Sequence, residues 1–171
     1  MPRSQADRNL RRWTEHVLAE NRRDLDRLID TLADDAEYEL VPLGKVWRGK
    51  EEIRDFYHML WAAMPDVKLD LRTRVVDENY VVEESHVHGT HTGPLFGIPP
   101  SGRYIEFDLV IFFPFRDGEI MGERLYLDVN SITGQVAAGE AGASYSPQQW
   151  LLFPWPIQQS RSASWPQRTI L

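Results

Sequence analysis

Apolar positions along the chain follow two different periods, and the change between them divides the sequence. Near the start, Leu10, Trp13, Val17 and Leu18 recur at helical spacing and line one face of a first helix. Leu25, Leu28, Ile29 and Leu32 predict a second helix, capped by Asp24 and closed by Asp34 and Asp35. Ala36 to Val41 alternates and predicts a short strand, which Pro42 and Gly44 break. A third helix follows Trp47-Arg48-Gly49. Ile53, Phe56, Tyr57, Leu60, Trp61 and Met64 form its apolar face, Glu51 and Glu52 suit the dipole of its first turn, and Pro65 stops it. From Val67 onward the period is two. Val67, Leu69, Leu71, Thr73 and Val75 alternate with Lys68, Asp70, Arg72 and Arg74. Asp77-Glu78-Asn79 reads as a hairpin turn and Tyr80 to His91 as the next strand. A Gly/Pro-rich loop over Thr92 to Gly102 leads to a long strand, Arg103 to Arg116. Asp117-Gly118 turns it back into a partner strand, Glu119 to Asp128, and a short helix follows near Asn130 to Val136.

Helices gathered at one end of a chain and antiparallel strands at the other define an α+β class. A curved antiparallel sheet needs one face covered, and the N-terminal helices can cover it. The expected architecture is a cone-shaped sheet that encloses one pocket, formed by residues 1–138. Residues 139–171 differ in composition, with Trp150, Phe153, Trp155 and Trp165 interleaved with prolines. Prolines forbid a regular helix there, and the aromatics predict an ordered arm laid over the domain or over a partner subunit.

Composition narrows the chemistry. The 171 residues include no cysteine, which excludes a disulfide scaffold, cysteine-ligated zinc, iron–sulfur clusters and thiol catalysis. Lys and Arg number 19 against 26 Asp and Glu, a net charge of −7, and no basic cluster stands out. Such a chain has little with which to neutralise phosphates, so no nucleic-acid partner is expected. No apolar run reaches the roughly 20 residues of a membrane span, and residues 1–12 carry no apolar signal core. The chain reads as a cytoplasmic protein with no membrane partner.

The segment from Gly89 to Arg103, GTHTGPLFGIPPSGR, resembles the SnoaL-like polyketide cyclase family. So do Arg116-Asp117-Gly118-Glu119-Ile120 with Glu123 and Asp128 after them, and Trp47-Arg48-Gly49-Lys50-Glu51-Glu52-Ile53 ahead of the third helix. The resemblance covers roughly residues 8–137 and places the chain among the nuclear transport factor two-like cones. It implies a deep pocket, a dimer or higher homo-oligomer, and acid/base chemistry without a cofactor. The superfamily also holds isomerases, epoxide hydrolases, dehydratases and binding proteins, so fold alone does not settle the reaction.

Asp128 matches the position of the family's acid/base aspartate, and a carboxylate in an apolar pocket can both remove and return a proton. The same residue also reads as a cap for the helix at Asn130. His91 is a second catalytic candidate, able to polarise a carbonyl as neutral imidazole or simply to bond its own loop. His86 and His88 share one strand face, but neither metal nor cofactor is expected. On the long strand, Tyr104, Glu106, Asp108, Val110 and Phe112 share one face. Ile105, Phe107, Leu109, Ile111, Phe113 and Phe115 share the other, and the size of that apolar stripe predicts a homodimer joined through the outer sheet face. Arg124, Tyr126 and Asp128 lie together on the final strand. The candidate substrate contacts are Tyr38, Trp47, His88, Asp108, Phe112, Arg124 and Tyr126. The expected function is cofactor-free acid/base catalysis on a hydrophobic, oxygenated small molecule, as aldol-type cyclisation or isomerisation of a polyketide-like substrate. Epoxide hydrolysis or dehydration, with Arg124 opposite Glu106 and Asp108, is the alternative, and a binding domain without turnover is another.

Overall fold

The computed structural model describes residues 4–137. Helix α1 (Gln5–Arg22) starts at a capping box: Asp7 N–H donates to Ser4 Oγ and Ser4 N–H to Asp7 Oδ2, both at 3.1 Å. Two of the helix's orphan donors are thereby satisfied. Arg23 ends it in the left-handed region at φ 57°. Its buried face is Asn9, Trp13, His16 and Ala19, and Leu18 is 47% exposed. The stripe is therefore rotated by about one residue from the one expected from Leu10, Val17 and Leu18. Its buried side chains carry hydrogen-bonding atoms, which apolar periodicity does not register.

Helix α2 (Leu25–Ile29) is capped by Asp24, whose Oδ1 accepts from Arg27 N–H at 3.2 Å. Strand β1 (Leu32–Leu40) begins earlier than predicted, so Asp34 and Asp35 lie within it instead of closing a helix. Both are exposed and paired outward, Asp34 with Lys50 at 2.8 Å and Asp35 with Arg116 at 2.7 Å. A 3₁₀ turn at Val41–Leu43, with Gly44 after it at φ 60°, returns the chain into a short strand, β2 (Lys45–Arg48), that the sequence reading leaves out. Helix α3 (Gly49–Ala63) follows, then β3 (Lys68–Val76), β4 (Tyr80–Thr90), β5 (Tyr104–Arg116), β6 (Glu119–Leu127) and α4 (Val129–Ala137).

The six strands form one curved, unclosed sheet in the order β2-β1-β6-β5-β4-β3. Pairing is antiparallel except between β1 and β6, which run parallel. This is the α+β layout expected, with N-terminal helices against one face. Asn9 ties α1 to the far hairpin by donating to the Asp77 and Glu78 carbonyls at 3.1 and 3.0 Å. The covered face carries Val81, Val87, Ile105, Phe107, Leu109, Ile111, Phe113 and Leu125, all buried with Leu28, Ile53, Phe56 and Leu60 of the helices.

The β5 stripe is thus buried within one chain, and its apolar area gives no reason for a second copy. The opposite face of β5 is the outward one. Tyr104, Glu106, Asp108 and Phe112 are all exposed there. The β-hairpin partner β6 does not alternate evenly. Five residues of β6 (Ile120 to Arg124) span the interval that four residues of β5 (Phe112 to Phe115) span, so one residue bulges. The extra residue lets both Ile120 and Glu123 point inward, where they are buried at 0% and 3% exposure.

Gly122 sits in that bulge at φ 129°, and a Cβ there would stand 1.8 Å from the Glu37 carbonyl oxygen. Backbone faces backbone, so no side chain can yield. Gly122→Ala should destabilise the fold by about 3 kcal/mol or more, on the scale of strained backbone plus overpacking. Chemical denaturation would check this, and an unchanged midpoint would contradict the bulge geometry.

Candidate active site

Between the helices and the covered sheet face lies a cluster of buried polar side chains drawn from five places in the fold. His16 comes from α1, Thr31 from the turn after α2, Tyr38 from β1, Tyr57 from α3 and Glu123 from β6. His16, Tyr38, Tyr57, Thr31 and Glu123 are each no more than 3% exposed. His16 Nε2 lies 3.1 Å from Glu123 Oε1, and His16 Nδ1 lies 2.6 Å from Thr31 Oγ1. The Thr31 hydroxyl donates to the Leu28 carbonyl at 2.5 Å. With its only hydrogen committed there, Thr31 Oγ1 must accept from His16, so Nδ1 carries a proton. One further proton then serves the contact between Nε2 and Glu123, either as imidazolium against carboxylate or as imidazole against carboxylic acid.

Two phenols close around that contact. Tyr38 Oη lies 3.3 Å from His16 Nε2, Tyr57 Oη lies 3.4 Å from Glu123 Oε1, and the two hydroxyls are 3.1 Å apart. Burial, then the negative charge of Glu123, pushes both tyrosines well above the ordinary phenol range, so they remain hydrogen-bond donors. Phe113 meets the His16 ring edge-on at 5.9 Å, and Phe56 packs edge-on against both tyrosines.

Two more carboxyls belong to this interior. Glu83 of β4 is 4% exposed; its Oε2 accepts from Trp13 Nε1–H at 3.0 Å and its Oε1 from Ser85 Oγ–H at 3.1 Å. Burial, then the charge of Glu123, raises its pKa to about 7. Glu20, one turn beyond His16, is raised well above the ordinary glutamate value, by burial first and then by Glu123 and Glu83. Asn9, Trp13, His16 and Glu20 thus form one functional stripe along α1, spaced four, three and four.

Of the residues expected at the site, Tyr38 joins this cluster. Trp47 is buried beside it in the core, edge-on to Phe56 at 4.9 Å with the Lys45 ammonium 4.5 Å over its ring. Asp128 is exposed; its Oδ1 accepts from Asn130 N–H at 2.9 Å and its carbonyl from the Ser131 hydroxyl at 2.7 Å, so it caps α4. Arg124 lies opposite Phe112 and bonds Glu39 Oε2 at 2.9 Å. Phe112 and Tyr126 touch edge-on at 5.6 Å on the outer face.

His88 and Asp108 also face outward, in a ladder of charges across β3, β4 and β5. His88 bonds Asp70 at 3.0 Å and the Tyr104 hydroxyl, while Asp108 accepts from His86 at 2.8 Å and Arg72 at 2.9 Å. The hydrogen bond from His86, then the charge of Arg72, keeps Asp108 below the ordinary carboxylate value. Arg124 therefore pairs with Glu39, and Asp108 with Arg72 and His86, not with each other as the epoxide-opening arrangement expects. Among the described residues, no group of three or more His, Asp or Glu is placed to hold a metal ion.

His91 is fully buried and organises the loop after β4. Its N–H donates to the Arg103 carbonyl at 2.8 Å, its own carbonyl accepts from Gly102 N–H at 2.8 Å, and its Nδ1 lies 3.2 Å from Ser101 Oγ. Its Nε2 is buried without a well-aligned hydrogen bond, and burial lowers its pKa although the Gly93 backbone favours the charged form. The expected arm over 139–171 lies outside the described residues.

What missed the interior cluster was strand parity. Glu123 stands in the sequence only as part of a motif, and apolar spacing singles out neither His16 nor Glu83. The usable signal was the recurrence of Asn9, Trp13, His16 and Glu20 on one helical face.

A curved sheet wrapped on N-terminal helices, with acid, imidazole and phenol groups buried between them, belongs to the cone-shaped α+β class. The chain is a member of the SnoaL-like polyketide cyclase family, whose model matches residues 8–136. Membership supports an enzyme role of the cyclase or isomerase type. Solved structures share the fold. A protein of Jannaschia sp. CCS1 assigned as a SnoaL-like polyketide cyclase is 21% identical with a TM-score of 0.69, covering 81% of this chain and 98% of its own. A Streptomyces galilaeus protein assigned as a hydroxylase is 22% identical at 0.65, covering 79% and 98%. A SnoaL-like polyketide cyclase of Agrobacterium tumefaciens C58 is 21% identical at 0.63, covering 73% and 94%. No curated protein matches the chain. Among the described residues, no helix is long and apolar enough to cross a membrane.

The raised proton affinity of Glu83 has a stability consequence with a definite sign. The folded state binds this proton more tightly than the unfolded chain, so folding is favoured at low pH. The advantage is lost as pH climbs from the ordinary glutamate range through about 7. Glu83→Gln removes the effect. Relative to wild type, it should gain roughly 2 kcal/mol of stability between pH 5 and pH 8. Parallel denaturation curves across that range would contradict a buried, proton-retaining Glu83.

Proposed function

We propose that this protein is a cofactor-independent acid/base enzyme that carries out aldol-type cyclisation or isomerisation of a hydrophobic, polyketide-like carbonyl compound. The observation that carries the reading is the His16–Glu123 pair beneath the Tyr38 and Tyr57 hydroxyls, sequestered from water. Family membership supports the same reaction class.

Glu123, as carboxylate against the His16 imidazolium, takes a proton from the carbon next to a substrate carbonyl. The C–H bond breaks, an O–H bond forms on Glu123, and the electron pair moves to the carbonyl oxygen as enolate. The tyrosine hydroxyls donate to that oxygen as its charge develops, an oxyanion-hole role favoured by the dry surroundings. In cyclisation the enolate carbon closes on a second carbonyl of the same molecule, and Glu123 returns its proton to the new alkoxide. In isomerisation the proton returns to a different carbon. One carboxylate thus begins and ends each turnover unchanged.

This reading moves the proton-transfer role from Asp128 to Glu123. Asp128 is engaged as a helix cap in water, whereas Glu123 has the burial and the partner that the chemistry needs. Turnover of polyketide esters tests the choice. Glu123→Gln should lose at least about a hundredfold in kcat, the usual scale for general acid/base catalysis, while Asp128→Asn stays within about twofold. The reverse pattern would return the role to Asp128, and a wild-type chain that binds such esters without converting them would make this a binding domain.

A further inference from the structure

The chemistry proposed above uses Glu123 and leaves its neighbour Glu83 without a part. Glu83 is as deeply buried as Glu123, at 4% against 3% exposure, yet the two have different partners. Glu123 faces an imidazole that can carry positive charge, 3.1 Å away. Among the described residues, the side chains that donate to Glu83 are neutral, the Trp13 indole at 3.0 Å and the Ser85 hydroxyl at 3.1 Å. Trp13 and His16 are three residues apart on α1, so one helical face delivers the partners of both carboxyls.

Helix α1 contributes Trp13 and Glu20 to the surroundings of Glu83, β4 contributes Ser85 and β6 Glu123, while β5 sets the apolar Ile111 opposite it. Strand β3 pairs Arg74 with Glu83 in register, and the exposed Arg74 guanidinium lies over the Trp13 ring at 5.2 Å. Glu20, Glu83 and Glu123 are expensive to ionise together in one interior, and Glu123, with the imidazole as a partner, is the one that can stand as the carboxylate.

We propose that Glu83 is a positioning residue for proton transfer: clamped by Trp13 and Ser85, it holds a further interior proton and through its charge biases whether the proton shared by His16 and Glu123 rests on the imidazole or on the carboxyl. The proposal rests on Glu123 being the acid/base group. While Glu83 is protonated, Glu123 can stand as the carboxylate opposite His16 and accept a substrate proton. When Glu83 loses its proton to water, repulsion draws the shared proton from His16 Nε2 across the 3.1 Å contact onto Glu123, leaving neutral imidazole against carboxylic acid and removing the base. The alkaline limb of activity then belongs to a residue that need not touch substrate.

Trp13 reports the state of Glu83 directly, because its N–H bond to a carboxylate is stronger than to a carboxylic acid. In the full chain labelled with ¹⁵N at tryptophan, with Trp13→Phe identifying the signal, the Trp13 indole resonance should titrate with a midpoint near pH 7. Glu83→Gln should abolish that titration. Glu123→Gln removes a repelling charge and should lower the midpoint by roughly half a pH unit or more, while Ser85→Ala removes a stabilising donor and should raise it. In turnover, Ser85→Ala should move the alkaline limb upward by the same amount with the maximal rate kept. A Trp13 signal flat from pH 5 to 9, one that still titrates in Glu83→Gln, or a midpoint indifferent to both Glu123→Gln and Ser85→Ala would overturn the assignment. The titration needs no substrate, so an inert wild-type chain would contradict the proposed function separately.

Discussion

The proton between His16 and Glu123 is the constraint around which the rest of the interior is arranged. An ionised carboxylate buried alone would cost several kcal/mol, and an imidazolium alone as much. Each is tolerable only against the other, and only with the surrounding hydrogen bonds complete. Thr31 fixes the imidazole tautomer by spending its own hydrogen on the Leu28 carbonyl. Tyr57 donates to Glu123, and the Tyr38 hydroxyl donates in turn to Tyr57 Oη. Removing one partner would strand the other, so the cluster locks α1, α3, β1 and β6 into one mutual placement.

That placement depends on β6 turning a charged side chain inward at one position. The bulge at Gly122 does this, and the Glu37 carbonyl packed against its missing Cβ leaves no room for another residue. β6 lies between β1 and β5 near the middle of the sheet, so Glu123 reaches the cluster from the sheet and His16 reaches it from the helix. The outward face follows different physics. His86, His88, Asp70, Glu106, Asp108 and Arg72 pair with one another in water, where screening keeps each contact weak. The same strands thus present two acid–imidazole systems, one desolvated and one solvated, and burial separates them in chemistry.

Most of the architecture was legible from periodicity, since β3 to β6 alternate over long runs and α3 has a continuous apolar face. The class and the family motifs followed from that. The site was less legible, for three local reasons. On α1 the buried stripe carries Asn9 and His16, with Glu20 at its margin, so counting apolar residues rotates the helix toward Leu18. On β6 an even alternation places Arg124, Tyr126 and Asp128 together, as they are, but gives no sign that a bulge upstream keeps Ile120 and Glu123 on the same inner face. At Asp128 the capping reading and the catalytic reading use the same residue type, and only solvent exposure separates them. The short β2 was hidden because four residues after a turn are too few for a period to show.

The account centres on where one proton sits, and the most direct measurement is the ¹⁵N spectrum of the His16 imidazole in the intact chain near neutral pH. The geometry predicts a protonated Nδ1 donating to Thr31, with Nε2 sharing a single proton with Glu123, so that Nε2 but not Nδ1 responds to Glu123→Gln. A His16 protonated only on Nε2, with a bare Nδ1 facing Thr31, would contradict it.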